Sequence, residues 1–200
     1  MKTMTLIATI LLALFFSNFS FADETIIMIR HGEKPEAGLG QLNCQGLNRS
    51  LALPGVLRKK FGTPTAIFAP NPGIQKNDRG TPYNYIRPLA TIEPTAIALG
   101  MPVNTQFGLD DIDALQNALL LPAFADSTVF VAWEHRLAEE AARKILATNN
   151  GDPSTVPTWE GNDFDSIYIV KVTTDPQGKR IASFSIDKQG LNHLPSSCPQ

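Results

Sequence analysis

The chain lacks a basic excess: 17 Lys and Arg stand against 19 Asp and Glu, a formal net charge of −2. This excludes the electrostatic footprint of a nucleic-acid binder, and no Lys/Arg cluster suits an anionic membrane surface. An anionic ligand must then be held by a local positive pocket, because the field of the whole molecule does not attract it. Histidine is scarce, with three in 200 residues, and cysteine scarcer, with two. Neither His-x-His nor Cys-x-x-Cys occurs, so the usual spacing of a metal site is missing. Past residue 22 no apolar run approaches the ~20 residues that cross a bilayer. Repeats, domain linkers and low-complexity tracts are absent as well. Hydrophobic residues at 43% and charged residues at 18% are a globular balance, over a length that suits one domain and hardly two.

What is present begins with residues 1–22. Lys2 precedes an apolar run from Leu6 to Phe16, and Ser17 to Ala22 is more polar, with small residues at Ser20 and Ala22. That is the order of charged region, apolar region and cleavage site in a secretory signal peptide. The run is short for the alternative, an uncleaved anchor helix. Cleavage after Ala22 is expected, leaving residues 23–200 as one exported domain, periplasmic or secreted, with no stable membrane insertion. In an oxidising compartment Cys44 and Cys198 are expected to pair and tie the tail to the body, the alternative being two unpaired thiols. Asn48-Arg-Ser50 fits the N-glycosylation pattern, a sequon short enough to arise by chance.

Three apolar runs, Thr25 to Ile29, Thr65 to Ala69 and Ser127 to Trp133, read as buried strands. Helical spacing covers Asn43 to Phe61, where Pro54-Gly55 could kink or divide the helix, and also Pro88–Leu99, Asp110–Leu121 and Leu137–Thr148. Ile74 to Tyr85, rich in Asn, Asp, Gly and Pro, reads as a long polar loop, a type of segment that is often functional. Ser166–Thr173 and Arg180–Ile186 read as a hairpin around Asp175-Pro-Gln-Gly178. Strands alternating with helices imply an α/β sandwich with a largely parallel sheet.

The first strand ends at Arg30-His31-Gly32, and ligands of open α/β sheets sit at the carboxyl ends of strands. Imidazole attacks phosphorus well, and a flanking guanidinium offers forked donors to phosphoryl oxygens. Gly32 is small enough for backbone to approach a ligand and offer its N–H. The third strand delivers Trp133-Glu134-His135 to a helix N-terminus, itself an anion site. Tyr85-Ile86-Arg87-Pro88 opens another helix. A sheet that gathers these junctions makes one positive pocket from two His, two Arg and a carboxylate. His193, in the Pro/Ser-rich tail, reads as a surface residue. Plainer readings stand beside these: Arg30 and His31 as a polar strand cap, Arg87 as the partner of Glu93, and Glu33 with Lys34 as a solvated ion pair rather than substrate ligands. Ala138 and Ala141 read as core packing.

Ile29-Arg-His-Gly-Glu-Lys34 after a buried strand resembles the Arg-His-Gly signature of the histidine phosphatase superfamily, which contains phosphoglycerate mutases and many acid phosphatases. Asn43 to Arg49 is similar to that family's next helix. Arg87-Pro-Leu-Ala-Thr-Ile-Glu-Pro-Thr-Ala96 resembles the segment with the second phosphate-binding arginine, and Val129 to His135 the strand with the second histidine. The likeness extends to Trp159 and Phe164–Tyr168, nearly all of the mature chain. It implies a phosphoglycerate mutase-like three-layer α/β sandwich with a largely parallel central sheet. It also implies His31 as nucleophile, Arg30 and Arg87 as phosphate clamps, and His135 as a further phosphate ligand. A phosphohistidine at His31 would then be hydrolysed by water.

The resemblance thus implies a metal-independent phosphomonoesterase, without cofactor, acting on a small phosphorylated molecule. A mutase is disfavoured, since export removes the chain from glycolytic intermediates. The alternative of another class is a non-catalytic phospholigand-binding protein of the envelope or exterior. Two departures stand out. The usual place of the second arginine holds Thr91, with Arg87 one turn earlier and Arg79 as fallback. Glu134 and Arg136 flank His135 where Ser and Gly are common, which leaves the general acid open among Glu134, Asp110 and Asp111. A strand would turn Glu134 away from His135, making it a structural carboxylate instead. Substrate specificity is expected in 74–85 and 104–113.

Overall fold

The computed structural model describes residues 23–200. The expected signal peptide, residues 1–22, lies outside the described residues. The sheet is built around β1 (Glu24–Arg30), in which Ile26, Ile27, Met28 and Ile29 are at most 1% exposed. A strand with no polar face must be covered on both sides. Ile26 and Met28 pack into one apolar cluster and Ile27 and Ile29 into the other, as the period of two requires. Beside β1 lies β5 (Thr128–Trp133), parallel to it, and β2 (Ala66–Phe68) is parallel to β5. On the other side β6 (Ser166–Thr174) runs antiparallel to β1, and β7 (Arg180–Lys188) antiparallel to β6. The order is β2-β5-β1-β6-β7.

This is the expected three-layer sandwich with a largely parallel central sheet: β1, β2, β5 and β7 run one way, and β6 alone is reversed. The short turn through Asp175 and Gly178, closed by a Gly178 N–H to Asp175 carbonyl bond of 2.9 Å, can only reverse the chain. Two helices cover one face. They are α1 (Cys44–Phe61), capped by the Asn43 side chain that accepts from the Gly46 N–H, and α2 (Arg87–Leu99). Pro54 does not divide α1, which runs unbroken through it. Leu53 and Leu57, four apart and fully buried with Ile92 and Ala96, hold it through a helix-interior proline that costs about 3 kcal/mol. The opposite face carries α3 (Ile112–Leu119) and α4 (His135–Thr148), with Ala138 and Ala141 in its core as expected. Helix α3 is shorter than its apolar pattern, and α4 begins two residues before it.

The segment 74–85 is not a loop. It forms a hairpin of β3 (Gln75–Asp78) and β4 (Thr81–Asn84), joined by Arg79 at φ 58° and Gly80 at φ 90°. Two consecutive positive φ values make a tight two-residue turn. An arginine in the first of those positions hides the signal that Asn-Gly or Asp-Gly would have shown.

Cys44 and Cys198 form a disulfide, the pairing that the sequence favoured, across a sequence separation of 154. Closing so long a loop contributes on the order of 2–4 kcal/mol. The tail it anchors also receives the Asn48 side-chain amide, which donates at 2.8 Å to the carbonyls of Pro195 and Ser197. That amide nitrogen, the one a glycan would need, is occupied, and Ser50 of the sequon is buried.

At the opposite end of the sheet Glu24 is 3% exposed and lies 2.9 Å from Arg180. Burial pushes its carboxyl up to about 7, against the opposing pull of the guanidinium, from an ordinary value of 4.5. Folding therefore favours the protonated acid. The stability it contributes is full below the unfolded value and is lost as pH rises through the folded one. Glu24→Gln is expected to raise the melting temperature relative to the parent by more at about pH 8 than at about pH 5. A difference that does not change with pH in thermal unfolding would contradict this.

Candidate active site

His31 follows directly on β1, its N–H donating to the Trp133 carbonyl of β5 at 3.0 Å. It is 2% exposed, and its Nδ1 lies 2.8 Å from the carbonyl of Gly32. A carbonyl only accepts, so Nδ1 carries the proton and Nε2 keeps its lone pair. Burial above all, helped by the charges of Arg30 and Arg87 and opposed by the Gly32 contact, lowers its pKa to about 3. The imidazole is thus neutral and in one tautomer, as a nitrogen nucleophile must be.

Arg30, the last residue of β1, donates through Nη1 to the carbonyls of Gly161 at 2.8 Å, Asp163 at 3.2 Å and Glu160 at 3.4 Å. Its guanidinium lies 3.9 Å from the centre of the Phe164 ring. Burial first, against the pull of Glu134, holds its pKa below the usual arginine value. Neither Arg30 nor His31 is a solvated strand cap.

The glycine after His31 serves a purpose other than the one expected. Its N–H is given to Thr91 Oγ1 at 2.8 Å, and that hydroxyl donates onward to the Arg87 carbonyl at 2.8 Å. A Cβ on Gly32 would come within 2.9 Å of the Gly46 carbonyl oxygen, and one on Gly46 within 2.3 Å of that of Glu33. Two glycines thus let the loop and the first turn of α1 touch through backbone. Thr91, at the place where the resemblance puts an arginine, is a buried brace.

Glu33 and Lys34 are not an ion pair. Glu33 turns to Arg49, a fully buried residue of α1, whose Nε and Nη2 donate to its carboxylate at 2.9 and 2.6 Å. Arg49 also donates to Gln189 at 2.9 Å, Asn192 at 3.4 Å and Asp165 at 3.5 Å. Lys34 lines the pocket instead.

Arg87 opens α2 and reaches the same pocket, while Arg79 sits at the exposed tip of the hairpin. Arg87 pairs with Asp78 of β3 and not with Glu93, and its Nε donates to the Gln41 carbonyl at 3.2 Å. Burial, with the nearby charge of Arg30, lowers its pKa to about 10. Tyr85 forms a wall between these groups. Its ring is edge-on to His31 at 5.9 Å, and the Arg87 guanidinium lies 4.9 Å from its centre.

Glu134 does not point away from His135. Strand β5 ends at Trp133, so Glu134 is the N-cap of α4, where alternation no longer applies. Its Oε2 accepts the N–H groups of Arg136 at 3.1 Å and Leu137 at 3.2 Å, and its Oε1 lies 2.7 Å from His135 Nδ1. The anion site at this helix N-terminus is therefore filled by the chain's own carboxylate. Burial would raise the Glu134 pKa, but His135, Arg136 and the Leu137 N–H outweigh it and hold the carboxyl at about 2. Asp111, another acid weighed, accepts the Gly108 N–H at 2.8 Å. Asp110 lies in an adjoining depression with Lys76, Glu134 and Arg136.

The five residues singled out from the sequence, Arg30, His31, Arg87, Glu134 and His135, all line one cavity of about 400 Å³. Lys34, Lys76, Asn77, Asp78, Tyr85 and Arg136 complete its wall. Lys76 and Asp78, which sequence reasoning missed, come from the hairpin. Alternation would have put them on one face, had 74–85 been read as strand. Cations outnumber carboxylates in this wall by five, from Arg30, Lys34, Lys76, Arg87 and Arg136, to two, Asp78 and Glu134. Such an arrangement binds a compact, multiply charged anion and leaves a neutral imidazole against it.

No protein-family model matches the chain, and no curated protein does. Solved structures do match. One described as phosphohistidine phosphatase SixA from Nakamurella multipartitia has a TM-score of 0.53 at 17% identity, over 82% of this chain and 95% of that one. Phosphoglycerate mutase from Plasmodium falciparum has a TM-score of 0.51 at 13% identity, over 90% of this chain and 98% of the other. The chain therefore has the histidine phosphatase, or phosphoglycerate mutase-like, fold, as the Arg30-His31-Gly32 resemblance implied.

Proposed function

We propose that the chain is a phosphohydrolase that removes the phosphoryl group of a phosphomonoester through a phosphohistidine at His31. The carrying observation is the neutral, single-tautomer His31 imidazole in a cavity ringed by Arg30, Arg87 and His135. Nε2 attacks phosphorus, the bond to the leaving oxygen breaks, and water later displaces the histidine to release inorganic phosphate. Arg30 and Arg87 carry the charge that grows on the phosphoryl oxygens, with His135 as a further donor. Glu134, an ionised acceptor at neutral pH, serves as a positioning residue that orients His135 rather than as the proton donor. With Glu134 ionised and so unable to donate a proton, leaving groups that need little protonation are favoured.

Phenyl and nitrophenyl phosphates are expected to be turned over, and turnover should survive EDTA because the clamps supply the positive charge that a metal would bring. Loss of activity with EDTA, restored by a divalent ion, would reject this chemistry. Saturable binding of phosphate with no turnover of either ester would favour the non-catalytic phospholigand-binding reading.

We further propose that residues 1–22 are a signal peptide and that the mature protein works in the periplasm or outside the cell. The disulfide supports an oxidising compartment. The intact mass of the exported protein is expected to begin at Asp23; retention of the apolar run would make the chain membrane-anchored.

A further inference from the structure

A simple phosphomonoester at His31 would leave part of the pocket's charge unanswered. Arg87 is paired with Asp78, Arg136 with Glu134, and the Arg30 guanidinium donates to three backbone carbonyls. Lys34 and Lys76 line the same cavity, and neither ammonium has an ion pair or hydrogen bond among the described residues. Lys34 is half-buried. Burial first, then the charges of Arg87, Arg30 and Arg79, hold its ammonium below the usual lysine range. Lys76 stands on the hairpin with its Nζ 5.4 Å from the centre of the Tyr85 ring, the ring that is edge-on to His31. Both cations thus stand beside the phosphate clamps without occupying them. Glu134 offsets the charge around Lys34 only in part, and no carboxylate is in ion-pair contact with either lysine among the described residues, so a second anion would relieve the remaining repulsion. A cavity of about 400 Å³ also holds more than one phosphate.

We propose that the substrate is a phosphomonoester carrying a second acidic group, carboxylate or phosphate, on its alcohol portion, and that Lys34 and Lys76 hold that group. The proposal rests on the phosphatase reading of His31. A neutral sugar or lipid alcohol would desolvate two lysines without giving them a partner, which turns the same residues against such substrates.

The test is calorimetry on the full mature chain with His31→Ala, which prevents turnover. Two matched pairs are titrated: phosphoglycolate against ethyl phosphate, and propane-1,3-diyl bisphosphate against propyl phosphate. The acidic member of at least one pair is expected to bind roughly tenfold tighter or more, with the preference shrinking as salt rises. The pair that shows it identifies the second group as carboxylate or phosphate. Adding Lys34→Met and Lys76→Met should reduce the preference to below about threefold, while Lys34→Arg and Lys76→Arg keep it. Equal binding within both pairs, or a preference that survives removal of both lysines, overturns the proposal. Phenyl phosphate turnover by the parent chain is read in parallel. Its absence would reject the hydrolase reading, while equal binding with turnover intact rejects the second-anion site alone.

Discussion

His31→Ala is expected to abolish both turnover and the covalent phosphoenzyme, whereas Arg87→Ala should slow turnover and still leave some phosphorylation of His31. The two differ in kind. Without His31 the nitrogen that attacks phosphorus is gone, and with it the phosphoramidate. Without Arg87 the nucleophile keeps its tautomer, which the Gly32 carbonyl sets, and only charge stabilisation is lost. One preorganised donor is typically worth about 10²–10³ in rate. The Arg87 loss should fall toward the lower end of that range, because Asp78 already offsets part of its charge. The intermediate should be labile in acid and stable in base, so the trap must be alkaline or by direct mass spectrometry. Protonation of His31 would limit activity only near pH 3, the value to which burial lowers it. Near-normal turnover in His31→Ala, or label on a serine or aspartate, would refute the mechanism.

The largest loss of stability is expected not at the clamps but at Arg49. Its guanidinium is fully buried and serves Glu33, Gln189, Asn192 and Asp165 together. Arg49→Ala leaves two carboxylates, 12% and 8% exposed, without their cation, and opens a cavity in α1. Breaking a buried pair on one side costs about 3–5 kcal/mol. Urea unfolding should show the midpoint falling with an unchanged slope. Arg49→Lys should recover only a part, because one ammonium cannot serve a bidentate carboxylate and two amide oxygens at once. A loss under about 1 kcal/mol would show that water replaces the guanidinium at little cost. The same residue joins the His31 loop to the tail that Cys198 anchors, so Arg49→Ala should also weaken phosphate binding.

The sequence by itself determined the five strands of the central sheet, the four helices and the residues that meet at the sheet edge. Short continuous apolar runs bounded by turn residues read as strands covered on both faces; Arg30-His31 and Glu134-His135 fall where two of them end, and Arg87 opens a helix. A signal of this kind is local, carried by period and by neighbours in the chain. Tertiary structure decided everything that depends on a partner far along the chain. In the largely parallel sheet β6 alone is reversed, beside β1, a choice between edges that no strand encodes in itself. The 74–85 hairpin, with Lys76 and Asp78, stayed hidden because Arg79 adopts a positive φ that its side chain does not announce. Gly32 could be read as a close approach, but only the packing showed that what approaches is Gly46 and not a ligand. Glu134 illustrates the same limit most sharply. Its role turned on whether the strand stopped one residue earlier, and that was settled by the helix it caps.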